Sequence, residues 1–298
     1  MNKPRFIIVG AAKSGTTSLF EYLRRHPQIY LPPGKEIGYF ADDQPNTKGL
    51  KNFSDYLDFF SAANEFQTCG EVATVYLYSM TAALNIYKQL GEATKIIIIL
   101  RNPVDMIYSL WKQNVRDGGE KLTLSEGIDY AQQRMENREF LSEMPGSIVN
   151  YDYINRVRYY NQVKRYIDIF GKEQVKIYIF ENFFDDTITS LKDLFSFIGV
   201  NPEFQLEAYN IHNPAGTVHS TLLHNLYTRK SFFYKIARLI LPPKIRAAIR
   251  MWLYKINTRP VSYPLMNKEL AERIKSELTE DVRKLENLIN IDLKELWF

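Results

Sequence analysis

The feature of this sequence that most constrains its fold is a glycine-bounded loop, GAAKSG, at residues 10–15. The β-branched run RFIIVG leads into it, and TTSLFEYLRRH follows with apolar residues at helical spacing until Pro27. This order predicts a buried strand, a tight loop and a helix. Free backbone N–H groups and the helix dipole favour an anion where such a helix begins. We therefore predict an anion-binding site near the N-terminus.

The loop differs from the common triphosphate-binding pattern in the place of its lysine. Gly10 and Gly15 keep the glycine spacing of G-x-x-x-x-G-K-[ST], but Thr16 and Thr17 follow Gly15 directly and Lys13 lies inside the loop. From there the lysine can contact a bridging oxygen of a ligand instead of a terminal phosphate. The alternative is an ordinary glycine turn with a solvated lysine.

A second buried strand, KIIIIL, ends in a cation. A triphosphatase usually has a carboxylate for Mg²⁺ at the end of such a strand, whereas Arg101 stands here. Asn102 and Pro103 then predict a helix N-cap and first helical position. Ser109 follows about two turns into that helix, so Arg101 and Ser109 can face one pocket and bind a second phosphate. Taken alone, an arginine at a strand end is usually one half of a surface ion pair, and the glycine loop is what favours the phosphate-binding role for Arg101.

Strands and helices alternate along the chain to about residue 218. Further strands are predicted around QTCGEVA and in QVKIYIFEN, and helices in NRVRYYNQVKRYIDIFG and ITSLKDLFSFIGV, the last ended by Gly199. Such alternation predicts an α/β fold with a P-loop-like parallel sheet covered by helices on both faces. The remaining pattern is entirely helical. We expect a single domain over 1–298, in which about 218–298 form a helical C-terminal extension.

Composition limits the ligands and the compartment. A net charge of +4 over 298 residues fits a local basic pocket better than a nucleic-acid surface, so no nucleic-acid partner is expected. Cys69 is the only cysteine, and no Cys/His spacing indicates a metal site. The apolar run before the loop is too short for a signal peptide, and no run approaches the roughly twenty residues of a membrane span. We expect a cytoplasmic protein that needs no metal.

The anion-binding segments resemble those of the sulfotransferases that use 3′-phosphoadenosine 5′-phosphosulfate (PAPS). AAKSGTTSL resembles their 5′-phosphosulfate motif, and LRNPVDMIYSLW resembles their 3′-phosphate motif. HPQIYLPPGKEIGYF resembles the glutamate-bearing segment of the branch that includes heparan sulfate N- and 3-O-sulfotransferases and bacterial relatives. The resemblance implies PAPS as cofactor, Lys13 as a catalytic cation and Glu36 as general base, without a metal.

The resemblance also implies further cofactor contacts. Tyr159 falls on a family tyrosine, and HNPAGTVHS resembles a late loop that closes over the cofactor. The implied cofactor-binding residues are Lys13, Ser14, Gly15, Thr16, Thr17, Ser18, Arg101, Ser109, Tyr159, Asn213 and Gly216.

Two departures from the family bear on the acceptor. The family segment EK(S/T)PxYF appears as GEVATVYLY, so Val72 stands where a lysine often contacts a sugar. The KTHLP histidine of the cytosolic phenol and steroid sulfotransferases has no counterpart, and His26, which precedes Pro27, is expected to be structural. The resemblance implies in-line transfer of a sulfuryl group to a hydroxyl or amine of a carbohydrate, lipid or secondary metabolite.

Several alternatives remain open at this point. Glu36 can instead be a loop carboxylate paired with Lys35. A kinase-like phosphotransferase would use the loop for ATP and Mg²⁺, and a scaffold protein would bind the desulfated product PAP without transfer. The basic, apolar segment 229–257 can lie weakly on an anionic membrane or near a lipid-linked acceptor, or can form two packed C-terminal helices.

Overall fold

The computed structural model describes residues 2–44, 50–137, 148–206, 217–218, 249, 258–259 and 263–298. Its centre is a five-stranded parallel sheet with the order β2-β3-β1-β4-β5. This confirms the predicted parallel sheet. The strands are β1 (Phe6–Gly10), β2 (Ile29–Tyr30), β3 (Thr68–Val72), β4 (Lys95–Leu100) and β5 (Val175–Ile179), and a separate antiparallel pair joins β6 (Thr217–Val218) to β7 (Thr258–Arg259).

The central strands are buried on both faces because successive side chains point into two different cores. Ile7 and Ile98 lie in one core, whereas Ile8, Ile97 and Ile99 lie in the other. Strands covered on both sides have no polar face, so their sequences are continuous apolar runs. This accounts for the uninterrupted apolar character of FIIV and IIIIL.

Helices cover both faces of the sheet, as predicted. Helices Thr16–Arg25 and Thr187–Ile198 pack in the core of Ile8, and helices Ala82–Leu90, Tyr159–Phe170 and Lys268–Ile289 pack in the core of Ile7. The helices are α1 (Thr16–Arg25), α2 (Phe53–Leu57), α3 (Val75–Tyr78), α4 (Ala82–Leu90), α5 (Pro103–Arg116), α6 (Leu124–Asp129), α7 (Ala131–Glu136), α8 (Tyr159–Phe170), α9 (Phe180–Asp185), α10 (Thr187–Ile198), α11 (Lys268–Ile289) and α12 (Lys294–Trp297).

Local chemistry sets the ends of the predicted helices. The side chain of Asn102 accepts hydrogen bonds from the N–H groups of Val104 and Asp105, so it caps α5 as expected. α10 ends at Gly199, whose φ of 88° places it in the left-handed region that glycine adopts without a steric penalty.

The C-terminal helices pack beside the end of β4. Leu278 and Val282 of α11 are buried in the core that also contains Ile7. Asn102 Nδ2 donates to the Trp297 carbonyl at 2.8 Å, and Trp297 Nε1 donates to Glu181 at 3.2 Å. Much of the extension predicted for 218–298 lies outside the described residues, so the single-domain boundary stays a prediction. None of the helices in the described ranges combines the length and apolar character that crossing a bilayer requires.

Candidate active site

The glycine loop and the end of β4 meet at the carboxyl edge of the sheet. The N–H of Ala11 donates to the Ile99 carbonyl at 2.7 Å, which ties the loop to β4. Arg101 Nη1 donates to the Lys13 carbonyl at 2.9 Å. The two predicted anion-binding segments are thus in direct contact. Parallel sheets commonly bind ligands at this edge.

Left-handed backbone marks the residues that shape the site. Gly15 has a φ of 72°, and a Cβ there would lie 2.3 Å from the ring of Phe184. In the described part of the chain, the non-glycine residues with positive φ are Lys13, Glu36 and Asn290. The first two are the predicted catalytic residues. Such conformations cost free energy and concentrate at functional sites, so they support a functional role for this region.

Lys13 is a partly buried cation held against α5. Its Nζ donates to Gln113 Oε1 at 2.8 Å. Burial lowers the pKa of Lys13 to about 8, with Arg116 as the main repelling cation and Asp117 acting in the opposite direction. A bound anion would favour the charged form of this lysine and so offset the cost of burying it.

Lys35 contacts the start of α1. Its Nζ donates to the Thr16 hydroxyl at 3.0 Å and to the Thr17 hydroxyl at 3.1 Å. Burial lowers the pKa of Lys35, and the carboxylates of Glu36 and Glu21 oppose that shift. From the sequence, Lys35 was expected only as a partner of Glu36. Its place next to Glu36 in the glutamate-bearing segment is the signal that could have drawn attention to it.

The Glu36 carboxylate is held by Thr74 on the neighbouring loop. Oε2 accepts from the Thr74 backbone N–H at 2.7 Å, and Oε1 accepts from the Thr74 hydroxyl at 3.1 Å. The N–H of Glu36 donates to the Val72 carbonyl at 3.0 Å, which fixes the backbone beside β3. Thr74 was not a sequence candidate.

Arg156 supports Thr74 from the other side. Its Nη2 donates to the Thr74 carbonyl at 3.3 Å, and its guanidinium lies 5.3 Å from the centre of the Tyr78 ring. Its Nη1 is buried and has no hydrogen-bond partner in the described structure. Burial lowers the pKa of Arg156, while Glu36 is the leading opposing charge. Thr74 is therefore held between a buried cation and the carboxylate.

Two more buried donors lie near the end of β4. Arg101 packs its guanidinium 4.6 Å from the centre of the Phe180 ring, and its Nε has no hydrogen-bond partner among the described residues. Tyr159 is fully buried beside the Arg101 backbone, yet its hydroxyl makes no hydrogen bond of ordinary geometry to any residue in the described ranges. Burial raises the pKa of this hydroxyl. Buried polar atoms are rarely left unpaired, so these donors fit a ligand rich in acceptor oxygens.

A buried carboxylate anchors the loop that carries Glu36. Glu71 accepts from the hydroxyls of Tyr56 and Tyr76, each at 2.7 Å, and from the N–H of Gly38 at 3.3 Å. Burial raises the pKa of Glu71 to about 7, against the effect of these hydrogen bonds. The adjacent Val72 is 2% exposed and packs in the core of Ile8.

The remaining candidates are distributed as follows. Ser14 and Ser18 are buried in the loop and in α1, and Ser109 is half-buried on α5. Asn213, Gly216 and nearly all of 229–257 lie outside the described residues. In the described ranges, no group of three or more His, Cys, Asp or Glu side chains is arranged to hold a metal ion.

His26 has the surroundings of a structural residue. Its Nδ1 accepts from the Gln28 N–H at 3.1 Å, so Nε2 carries the proton that is donated to the Asn201 carbonyl at 3.0 Å. The rings of Phe195 and Phe204 lie 4.7 Å from the imidazole. Both ring nitrogens of His26 thus form hydrogen bonds within the fold.

Comparison with known proteins matches most of the chain to one protein family. The family described as "Sulfotransferase domain" matches residues 3–215. A crystal structure of a sulfotransferase from Alicyclobacillus acidocaldarius is 28% identical, with a TM-score of 0.72 and 99% of each chain covered. The P-loop-like fold predicted from the sequence is therefore confirmed.

Two curated relatives match over different spans. Heparan sulfate glucosamine 3-O-sulfotransferase 5 of Mus musculus is 22% identical over 261 residues, covering 86% of this chain and 70% of that protein. The membrane-associated sulfotransferase kil1 of Dictyostelium discoideum is 32% identical over 113 residues. That match covers 38% of this chain and only 23% of the relative.

Proposed function

The chain belongs to the sulfotransferase family, and we propose that it moves a sulfuryl group from PAPS to a hydroxyl or amine of an acceptor. The observation that carries the proposal is the meeting of three segments at one edge of the sheet. Arg101 contacts the Lys13 backbone, Lys35 contacts the first residues of α1, and Glu36 follows Lys35 directly. Cations for an anionic donor thus lie beside a carboxylate that can accept a proton.

The residues present fit PAPS as the cofactor. Backbone N–H groups at the start of α1, with the side chains of Thr16 and Thr17, would hold the 5′-phosphosulfate. Arg101 and Ser109 would hold the 3′-phosphate, for which Arg101 Nε is suited because it has no partner within the part of the chain that the structure describes. The remaining proposed contacts are Ser14, Gly15, Ser18, Tyr159, Asn213 and Gly216. When bound, PAPS supplies the sulfuryl group and leaves as PAP.

Glu36 would act as the general base. It would take the proton of the acceptor hydroxyl or amine as the acceptor atom bonds to the sulfur and PAP departs with the electrons of the broken sulfur–oxygen bond. The contacts from Thr74 keep the carboxylate in place before the acceptor arrives. Because the carboxylate is preorganised, little rearrangement is needed during transfer.

Lys13 would balance the charge that grows on the departing phosphate. Sulfuryl transfer resembles phosphoryl transfer, in which positioning and charge neutralisation supply most of the rate enhancement. Lys13 is partly buried, so its interaction with an anion is screened less than that of a surface lysine. No metal ion is required in this scheme, because Lys13 and Arg101 supply the positive charge.

The acceptor is proposed as a class. The names of several relatives specify heparan sulfate, which supports a carbohydrate acceptor, and lipid or secondary-metabolite acceptors belong to the same proposal. Val72, which is apolar and buried, stands at the position where the family often has a lysine that contacts the sugar. The acceptor therefore has to be recognised by other residues.

The test is transfer of radiolabelled sulfuryl groups from PAPS to a panel of oligosaccharides, lipids, phenols and amines. We expect a labelled product to form when a chelator is present. Reactions with heat-treated enzyme should give no labelled product. Transfer of labelled phosphate from ATP with Mg²⁺, and none from PAPS, would contradict the proposal and support a kinase-like enzyme. A cytoplasmic location and one domain over 1–298 are retained as further proposals, to be checked by cell fractionation and limited proteolysis.

A further inference from the structure

Lys35 occupies a position that the mechanism above does not use. Its ammonium donates to the hydroxyls of Thr16 and Thr17 at 3.0 and 3.1 Å. The lysine lies on the loop that carries Glu36, whereas the threonines are the first two residues of α1. This contact joins the loop of the proposed base to the anion-binding end of the helix.

The hydrogen-bonding capacities of Lys35 and the two threonines determine to which partners the hydroxyls can donate. An ammonium group has three donors and no acceptor, so both hydroxyls must accept from Lys35. Each hydroxyl has one proton, which is then available for a different acceptor. Thr16 and Thr17 begin α1, where backbone N–H groups also attract an anion. An anion bound there can accept one hydrogen bond from each hydroxyl.

We infer that Lys35 is a positioning residue of the cofactor site, which directs the Thr16 and Thr17 hydroxyls toward the 5′-phosphosulfate of PAPS. The inference rests on the proposed function, because it takes the bound anion to be that group. Lys13 acts on the anion directly, whereas Lys35 acts through two hydroxyls. The two lysines therefore have separable effects on binding.

A double-mutant cycle on PAP binding tests the inference without an identified acceptor. Lys35→Met is measured in the wild type and in a Thr16→Val, Thr17→Val background, which keeps the shape of the side chains but removes both hydroxyls. Side chains that act together give non-additive effects. We expect Lys35→Met to raise the Kd for PAP roughly tenfold in the wild type and less than about twofold in the valine background.

Matched variants separate this role from general charge and from folding. Lys88→Met removes the same formal charge from an exposed lysine of α4 and is expected to leave the Kd unchanged. Lys35→Arg retains charged donors and is expected to recover most of the affinity. Thermal midpoints without PAP show whether each variant is folded, and Lys35→Gln, measured in the same two backgrounds, replaces Lys35→Met if that variant is not.

The outcomes distinguish the inference from the proposed function. Equal effects of Lys35→Met in both backgrounds would mean that its charge acts alone, which overturns the inference. An unchanged Kd in Lys35→Met overturns it as well, while PAP binding by the wild type leaves the proposed function intact. A wild type that does not bind PAP overturns both.

Discussion

The Glu36 carboxylate receives both hydrogen bonds that Thr74 can donate, at 2.7 Å from the backbone N–H and 3.1 Å from the hydroxyl. The two residues lie on loops that follow adjacent strands, β2 and β3. Arg156 in turn donates to the Thr74 carbonyl. The carboxylate is therefore positioned by the fold itself, and the acceptor does not have to organise it.

Replacing Glu36 by glutamine should separate binding from chemistry. An amide has nearly the same shape but cannot take a proton, so we expect turnover to fall at least about 100-fold. The Kd for PAP should stay within about twofold, because Glu36 is not assigned a cofactor contact. Steady-state transfer from radiolabelled PAPS and calorimetric titration with PAP measure the two quantities. Full turnover in Glu36→Gln would remove the assignment of Glu36 as base.

Thr74→Val is the companion variant. It removes one of the two hydrogen bonds to Glu36 but keeps the backbone donor and the side-chain shape. We expect a smaller loss of turnover than in Glu36→Gln, roughly 3- to 30-fold, with unchanged PAP binding. A loss as large as that of Glu36→Gln would mean that the hydroxyl itself contacts the reacting groups.

The affinity for PAP should depend on pH through Lys13. The pKa of this lysine is about 8 in the free protein, and a bound anion favours its charged form. Below pH 8 the lysine is already charged, so binding needs no proton. Above pH 8 binding must take up a proton, and the Kd should increase by up to about tenfold per pH unit. Calorimetry in buffers of different ionisation enthalpy measures this uptake between about pH 7.5 and 9.5.

Lys13→Met is the control for that measurement. It should bind PAP weakly and show little proton uptake over the same range. Uptake that persists in this variant would assign the titration to another group, such as Lys35, whose pKa is also lowered by burial.

Glu71 should make stability fall as pH rises. Burial raises its pKa to about 7 from an ordinary value of 4.5, so between these values the folded state binds a proton that the unfolded state has lost. The contribution of Glu71 to the free energy of unfolding is fully present below about pH 4.5. It is lost as pH rises through 7, at up to about 1.4 kcal/mol per pH unit. Glu71→Gln keeps the shape and an acceptor oxygen but does not titrate.

The free energies of unfolding of wild type and Glu71→Gln should therefore differ by an amount that changes with pH. The stability of Glu71→Gln relative to wild type is expected to increase as pH rises from about 5 to 8. Denaturant unfolding at each pH measures this difference. A difference that is constant across this range would show that Glu71 does not titrate there.

Gly15 should tolerate no side chain. Gly15→Ala places a Cβ 2.3 Å from the Phe184 ring at a φ of 72°, so the backbone and the ring both have to move. We expect a loss of about 2 kcal/mol of stability and weakened PAP binding, measured by unfolding and by titration. Gly34→Ala is the matched control, because nothing lies within 4 Å of a Cβ there. Equal effects of the two substitutions would show that the loop does not need this glycine.

The segments of the candidate site that depend on local chemistry could be predicted from the sequence. Gly15, Lys13 and Arg101 lie in short segments whose residue order identifies a loop or a strand end, and the structure brings these segments together. The helix start at Asn102 was predictable for the same reason, since an N-cap acts on its immediate neighbours.

The contacts that position the proposed base are long-range and were not predicted. Thr74 is 38 residues from Glu36, and Arg156 is 82 residues from Thr74. Lys35 reaches threonines 18 and 19 residues earlier in the chain. Such pairs depend on how strands are ordered in the sheet, which hydrophobic periodicity does not specify.

The most direct test of the account is whether PAP stabilises the protein against heat in the absence of metal. A ligand at about 100 times its Kd adds about 2.7 kcal/mol, which should raise the thermal midpoint by about 5 °C. We predict this increase for wild type with PAP and chelator, and a much smaller one for Lys13→Ala. Stabilisation only by ATP with Mg²⁺ would contradict the assignment of a PAPS site.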